Sequence, residues 1–339
     1  MYNKDKYKMG VDGLSTLMKD KDVPYKGRIS KKDTQESYPL SRLKGRKIAI
    51  EASGLIYKQN WHAATRAIEK HIFVYENEWS RPSVEDVLNE FKDCYRSFMI
   101  KLIGTGIVPK FIMEGSPPSL KTSTRQKRRD DNAKYIEKAL NASKILSESG
   151  LNEFKDNLPY TFYPGEQHAK IAIDIMRSMN ITIIQADHEA EGVCAKLVND
   201  TKDPHHCFCA LIEDSDIFML GASRILTKFT SRNGPIEVAA YAFRDVLTSI
   251  FHDGESPSND QLKRYRDQFQ LLCILMGTDY YKRIKGIGPI TILDHIIKNN
   301  ISTYEDICRI EPKFKSIPYH EIMEVLKNNE AYSVIYESV

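Results

Sequence analysis

Two tight acidic pairs, each following an apolar run, constrain this chain more than any other feature. Between Gln185 and Gly221 it reads QADHEAEGVCAKLVNDTKDPHHCFCALIEDSDIFMLG, with Glu189/Glu191 and Asp214/Asp216 each at i, i+2. ITII (Ile181–Ile184) precedes the first pair and CALI (Cys209–Ile212) the second. Apolar runs bounded by polar turns read as buried parallel strands. Carboxylates just past the C-terminal ends of such strands face the crevice where open α/β sheets bind ligands. On an extended strand end, an i, i+2 pair points both side chains to one side. Four carboxylates at one crevice repel each other unless cations sit among them. An all-oxygen donor set of this kind suits Mg²⁺ or Mn²⁺. Either pair alone reads equally well as a solvated acidic turn; the repetition after two buried strands favours metal.

A chain of 339 residues can bury a substantial core in one large domain or two, and the 41% hydrophobic content is that of a folded soluble protein. The net charge of +3 leaves nucleic-acid binding to be argued from the distribution of charge. No apolar run approaches the ~18 residues of a membrane span, and MYNKDKYKMG at the start has no signal-like apolar stretch. The six scattered cysteines suit free thiols in a reducing compartment. His205-His206-Cys207-Phe208-Cys209 has zinc-like composition, with Cys207 and Cys209 expected on one side of a strand, but it lacks a second ligand pair at finger spacing.

Taken in order, residues 1–8 read as a disordered extension and Met9–Met18 as the start of a short amphipathic helix. Val23–Arg46, with Pro24, Gly27, Pro39 and Gly45, reads as loop around at most one short helix. Lys47–Glu51 is the first strand, continued by a helix over Ala52–Arg66. Val84, Val87, Leu88, Phe91, Tyr95, Phe98, Met99 and Leu102 recur at helical spacing, with Ser83 as cap and Asp86 at the capping-box position. Ile107–Met113 is the second strand, ending at Glu114. Gly115-Ser116-Pro117-Pro118 breaks the chain, and a polar helical segment follows. Lys121, Arg125, Lys127, Arg128 and Arg129 crowd its first turns. Basic charge there opposes the helix macrodipole, so a phosphate partner is the more economical reading than helix stability.

Further on, Glu166–Met179 and Ala190–Val198 are helical, and Ile225–Phe229 and Ile236–Ala239 form a hairpin across Asn233-Gly234. Gln261–Met276 is helical. Gly286-Ile287-Gly288-Pro289 then makes a tight turn whose N–H groups are free for a phosphate, with Lys282, Arg283 and Lys285 beside it. The segment after Ser302 reads as amphipathic helix. The acids at strand or turn ends are Glu51, Glu114, Glu189, Glu191, Asp214, Asp216 and Asp279, more than one magnesium needs. Two-metal phosphoryl chemistry uses such a set, with ions ~3.5–4 Å apart flanked by carboxylates.

In this order the motifs resemble the flap endonuclease/XPG superfamily of structure-specific 5′ nucleases. MGVDGL at Met9, IAIEAS (Ile48–Ser53), FIMEGSPPSLK (Phe111–Lys121), ADHEAEGVCAKLV (Ala186–Val198), IEDSDIFMLG (Ile212–Gly221) and LCILMGTDYYKRIKGIGP (Leu272–Pro289) carry the resemblance, which spans Met9 to Lys298. It implies an α/β, PIN-like fold: a twisted, mostly parallel sheet between helices. Residues 9–260 would form the nuclease domain, with a helical arch near 115–160. A helix–two-turn–helix over 261–300 and a C-terminal helical segment over 301–339 would follow.

The implied activity is Mg²⁺-dependent cleavage of DNA at the single-strand/double-strand junction of 5′ flaps. A 5′→3′ exonuclease of the same family and a junction-binding protein with weak catalysis are the alternatives. The resemblance implies that Glu189, Glu191, Asp214, Asp216 and Asp279 bind two Mg²⁺, replaceable by Mn²⁺, with Glu51 and Glu114 at the first two acidic strand ends. Lys121 and Arg128 would contact the scissile phosphate, flanked by Arg125 and Arg129. Tyr57 would stack on the unpaired terminal base, and Gly10 would follow the initiator methionine near DNA. Lys285, Gly286, Ile287 and Gly288 would meet duplex phosphates, with K⁺ held by nearby carbonyls.

The family usually has Asp where this chain has Glu51, and Asp in most branches where it has Glu114. The longer side chains put rate and metal preference in question. The remaining expectations are a monomer with no membrane partner and no sliding-clamp motif, nuclear if eukaryotic and otherwise cytoplasmic or at a viral replication site.

Overall fold

The computed structural model describes residues 35–230, 234–252 and 256–338, together with Val11 and Leu14. Gly10, the 1–8 extension, Asn233 and most of the Met9–Met18 helix therefore lie outside the described residues. In chain order come the strands Glu36–Pro39 (β1) and Lys47–Glu51 (β2), the helix Ala52–His71 (α1), a small hairpin Val74–Tyr75 (β3) and Glu78–Trp79 (β4), the helix Val84–Ile103 (α2) and the strand Val108–Met113 (β5). The helices Thr122–Ser143 (α3), Glu148–Asn157 (α4) and Glu166–Ser178 (α5) follow, then Thr182–Ala186 (β6), Ala190–Asn199 (α6), Cys209–Leu211 (β7) and Asp216–Met219 (α7). Arg224–Thr230 (β8) and Glu237–Ala242 (β9) lead into Phe243–Phe251 (α8) and Asn259–Met276 (α9). Pro289–Lys298 (α10), Tyr304–Ile310 (α11), Tyr319–Asn328 (α12) and Tyr332–Tyr336 (β10) complete it.

One eight-stranded sheet organises the molecule, in the order β1-β9-β8-β7-β2-β5-β6-β10. The inner pairs β8/β7, β7/β2, β2/β5 and β5/β6 are parallel. The outer pairs β1/β9, β9/β8 and β6/β10 are antiparallel. Because successive strand residues alternate faces, Ile48, Ile50, Phe111, Met113, Ile183 and Leu211 enter a core beneath α1, α2 and α5. Ala49, Ile112, Ile184 and Ala210 enter a second core beneath α6, α8 and α9, which Val11 and Leu14 join. Burial on both faces is why these strands read as continuous apolar runs. Ser83 and Asp86 form the expected reciprocal cap of α2.

Three expectations are corrected. Glu36–Pro39 lies within the stretch read as loop, yet it pairs with β9 as an edge strand. The C-terminal segment ends not in helix but in β10, paired with β6. Cys207 and Cys209 enter different cores rather than sharing one side of a strand. Burial pushes both thiols up to about 12, and the Lys110 ammonium lies 3.1 Å from His205 Nδ1. These donors therefore do not converge as a zinc site.

Candidate active site

The C-terminal ends of β2, β5, β6 and β7 open on one edge of the sheet, and the loops beyond them carry the acids. The loop after β5 lies against the loop after β6: Gly115 N–H donates to His188 O, at 2.6 Å, and Ser116 N–H to Asp187 O, at 3.0 Å. A Cβ at Gly115 would overlap the Ala186 carbonyl oxygen and the Asp187 backbone, so the close approach requires glycine. This stitching brings Glu114 beside Glu189 and Glu191, with one ligand oxygen from each within 4.8 Å of the others. Glu114 Oε2 also accepts from the Ala190 N–H, at 3.3 Å, at the start of α6, where the helix dipole favours an anion.

Neither acidic pair stands on an extended strand end, as the spacing suggested. Glu189 is the N-cap of α6 and Glu191 lies in its first turn. Asp214 sits in the loop and Asp216 begins α7, with the Asp216 N–H donating to Asp214 Oδ1 at 2.9 Å. The local turn therefore holds the two acids in place through a backbone-to-side-chain bond. Glu51 also has a structural partner of its own. It caps α1, both carboxylate oxygens accepting from the Gly54 N–H, at 3.0 and 2.9 Å. Its oxygens are not among the grouped ligand atoms of Glu114, Glu189 and Glu191.

Two cations reach the acids, Lys121 from just before α3 and Arg128 from α3 itself. The Lys121 ammonium pairs with Glu189 Oε1 and lies 4.8 Å from the centre of the Tyr280 ring. Arg128 Nη2 meets Asp279 Oδ2 at 2.6 Å, and Thr124 Oγ1 donates to the Asp279 carbonyl at 2.7 Å. The Tyr280 hydroxyl donates to Glu189 Oε2, and so does Asn329 Nδ2, at 2.8 Å. Tyr280, Asn329 and Thr124 were not read from the sequence. Tyr280 had a signal, being next to Asp279. Asn329 had none, lying 140 residues from Glu189.

The electrostatics follow from burial and crowding. Burial, with Asp214 adding repulsion, lifts Glu51 to about 7 from the usual 4.5. Glu114, open to the cleft but deep between its walls, rises to about 8 through loss of solvation and the charges of Glu51 and Glu189. Burial first, then neighbouring acids, raises Glu191, Asp214 and Asp216 as well. Burial opposes the Lys121 charge, but Tyr280, Glu191, Asp216 and Glu189 outweigh it and hold the ammonium protonated. Three buried carboxylate oxygens, Glu191 Oε2 and both of Asp216, have no hydrogen-bond partner among the described residues. Buried polar atoms are rarely left so. An orphaned, all-oxygen set among like charges fits a hard divalent cation.

Of the other expected contacts, Tyr57 on α1 meets Tyr163 edge-on, ring centres 5.8 Å apart, and Tyr163 is exposed. Arg125 and Arg129 face solvent on α3. Gly286 adopts φ +86°, a conformation that favours glycine, and Gly288 is the N-cap of α10. Lys285 is exposed, but Ile287 is buried and its N–H donates to the Ile284 carbonyl, at 3.4 Å. The Ile287 side chain therefore packs into the core beneath this turn.

A family model described as the XPG N-terminal domain matches residues 9–135, and one described as the XPG I-region matches residues 180–279. The chain is similar to flap endonuclease 1 of Entamoeba histolytica, 29% identical over 323 residues, covering 94% of this chain and 75% of the relative. Flap endonuclease 1 of Drosophila melanogaster is 28% identical over 312 residues, covering 92% and 70%. In fold it is similar to the catalytic core of Rad2 in complex with DNA substrate, at 20% identity and a TM-score of 0.54, covering 95% of this chain and 81% of that one. Flap endonuclease-1 from Methanococcus jannaschii gives 18% identity and a TM-score of 0.52, covering 88% and 84%.

Proposed function

This chain belongs to the flap endonuclease/XPG superfamily of structure-specific nucleases, and we propose that it cleaves DNA phosphodiesters at the junction of a 5′ flap with two magnesium ions. The observation that carries this reading is the set of buried carboxylates, three of whose oxygens are orphaned, beneath two arch cations. Glu114, Glu189 and Glu191 form one closely grouped donor set, and Asp214, Asp216 and Asp279 supply the other. When bound, divalent ions polarise the scissile phosphate and lower the pKa of the attacking water.

The chain's own residues do the rest. Lys121 and Arg128 stay charged because acids surround them, so they neutralise the phosphate that enters beneath the arch. Tyr57 and Tyr163 offer ring surface for an unpaired base. The turn at Gly286 and Gly288, flanked by Lys282, Arg283 and Lys285, suits the phosphates of the downstream duplex.

A 5′-labelled flap duplex incubated with Mg²⁺ or with EDTA tests the reading. Cleavage at the junction in Mg²⁺ alone is expected. Release of single nucleotides would reassign the chain to 5′→3′ exonuclease action, and a gel shift without cleavage would leave only junction binding.

A further inference from the structure

We infer that Asn329 is a positioning residue of the metal site: its amide fixes the Glu189 carboxylate so that one oxygen is kept for a cation, which makes the C-terminal segment part of the catalytic apparatus. The inference rests on the metal-dependent reading above.

The two oxygens of Glu189 are used differently. Oε2 receives the protein's neutral donors, Asn329 Nδ2 at 2.8 Å and the Tyr280 hydroxyl. Oε1 faces the Lys121 ammonium. Two donors on one oxygen fix the rotation of the carboxylate and leave the other oxygen facing positive charge. A neutral amide suits this task. A lysine at this position would itself compete for the carboxylate, and an aspartate would repel it.

The backbone around Asn329 holds it in this place. It lies between α12 and β10, and it is only 2% exposed. Just beyond it, Asp187 N–H donates to Ala331 O at 3.0 Å, and Tyr332 pairs with Ala186. A Cβ on Gly192 would overlap the Asn329 carbonyl oxygen and stand 2.6 Å from its Cβ, so glycine permits the approach. The ordinary reading of Asn329 is the C-cap of α12. That reading does not account for the side chain, whose Oδ1 is buried without a partner among the described residues. An asparagine kept for stability would satisfy both ends of its amide.

The test compares the wild-type chain with Asn329→Leu, which keeps the volume and removes the donor. Tyr332→Phe serves as control, because it loosens β10 from Asp203, where the hydroxyl bonds at 2.8 and 3.0 Å, without touching Glu189. Mn²⁺ binding is measured directly by electron paramagnetic resonance without DNA, alongside thermal unfolding in EDTA and flap cleavage for kcat and KM. Loss of an outer-shell partner typically weakens metal binding ~10- to 100-fold. Asn329→Leu should show that loss, with a matching fall in kcat, unchanged KM and no fall in Tm. Tyr332→Phe should lower Tm and leave Mn²⁺ affinity unchanged.

Equal Mn²⁺ affinity in wild type and Asn329→Leu overturns the inference alone. Equal losses of affinity in both variants overturn it in favour of general docking of the strand. A wild-type chain that binds no Mn²⁺ overturns the metal reading and the inference together. Should Asn329→Leu fail to fold, Asn329→Ser, too short to reach Glu189, replaces it with the same expected outcomes.

Discussion

Gly54 lies under the Glu51 carboxylate: its N–H donates to both oxygens, at 3.0 and 2.9 Å, and a Cβ there would stand 2.7 Å from Oε2. The cap of α1 thus depends on a missing side chain three residues on. Gly54→Ala should expel Glu51 from the cap and cost about 1 kcal/mol, the usual worth of an N-cap bond. Urea unfolding in EDTA measures it. In a Glu51→Asp background the same substitution should cost less, because the shorter side chain leaves room. Equal costs in both backgrounds would show that the added methyl strains the helix and not the cap.

The two glutamates where the family usually has aspartate now separate. Glu51 is turned to a helix end, whereas Glu114 offers an oxygen to the group with Glu189 and Glu191. Mn²⁺ binds such sites more tightly than Mg²⁺, and Mg²⁺ demands near-ideal ligand distances. Glu114→Asp should therefore lower the Mn²⁺-to-Mg²⁺ activity ratio, while Glu51→Asp leaves it nearly unchanged. Steady-state rates of wild type, both single variants and the double variant in both metals check this. A shift at Glu51 of equal size would place its carboxylate back among the ligands.

Asp216 is buried, and neither of its oxygens has a hydrogen-bond partner among the described residues. A carboxylate kept in that state trades stability for function. Asp216→Asn should abolish cleavage yet stabilise the metal-free chain by ~0.5–2 kcal/mol, the usual gain from relieving such a site. Chemical denaturation in EDTA reads the gain. DNA binding should hold or tighten, since a negative charge beside phosphate is removed.

The inner strands were legible because burial on both faces writes a continuous apolar run, and the acids stood out because a carboxylate at the end of such a run has few structural uses. The edge strands were not. β1 is mostly exposed and lies inside a proline- and charge-rich stretch, and its pairing with β9 joins Glu36 to Ala240, far apart in sequence. β10 is short and largely exposed without alternation, and its partner β6 lies far earlier in the chain, beyond any local signal. The acid set was legible while its use was not. Whether Glu51 faces a metal or a helix end is decided by its rotamer and by Gly54. A lone asparagine after a helix reads as a C-cap, and nothing around Asn329 in the chain points to Glu189.

Lys121 meets Glu189 through one preorganised charge contact at the start of α3. Its work on substrate should fall on the reacting phosphate and not on general affinity. Lys121→Ala is expected to lower single-turnover cleavage ~10²- to 10³-fold, with the dissociation constant for flap DNA changed much less. Arg125→Ala, from the exposed face of the same helical segment, should show the opposite balance, weakening binding in a salt-dependent way with little effect on the bound rate. Equal losses in rate and affinity for Lys121→Ala would demote it to an ordinary phosphate contact.

The final prediction concerns pH. Burial and mutual repulsion hold Glu51 at about 7 and Glu114 at about 8, against 4.5 in an unfolded chain. Between those values the folded state binds more protons than the unfolded state, so metal-free stability must fall as pH rises. The contribution of the protonated forms is fully present below the unfolded value of 4.5 and lost as pH passes through about 7 and then about 8. Metal ligands must be deprotonated, so divalent ions compete with the proton on Glu114 and bind better as pH rises. The gain in Tm on adding Mg²⁺ should therefore be small near about pH 6 and large near about pH 8.5, while Tm in EDTA declines over the same range. Thermal unfolding with and without Mg²⁺ at both values measures the two trends. Glu114→Gln should flatten the decline in EDTA, because it removes a group that the fold keeps protonated up to about pH 8. A Mg²⁺-induced gain that does not change with pH would mean that the carboxylates are already ionised in the metal-free protein, and that Lys121 and Arg128 alone suffice to hold them so.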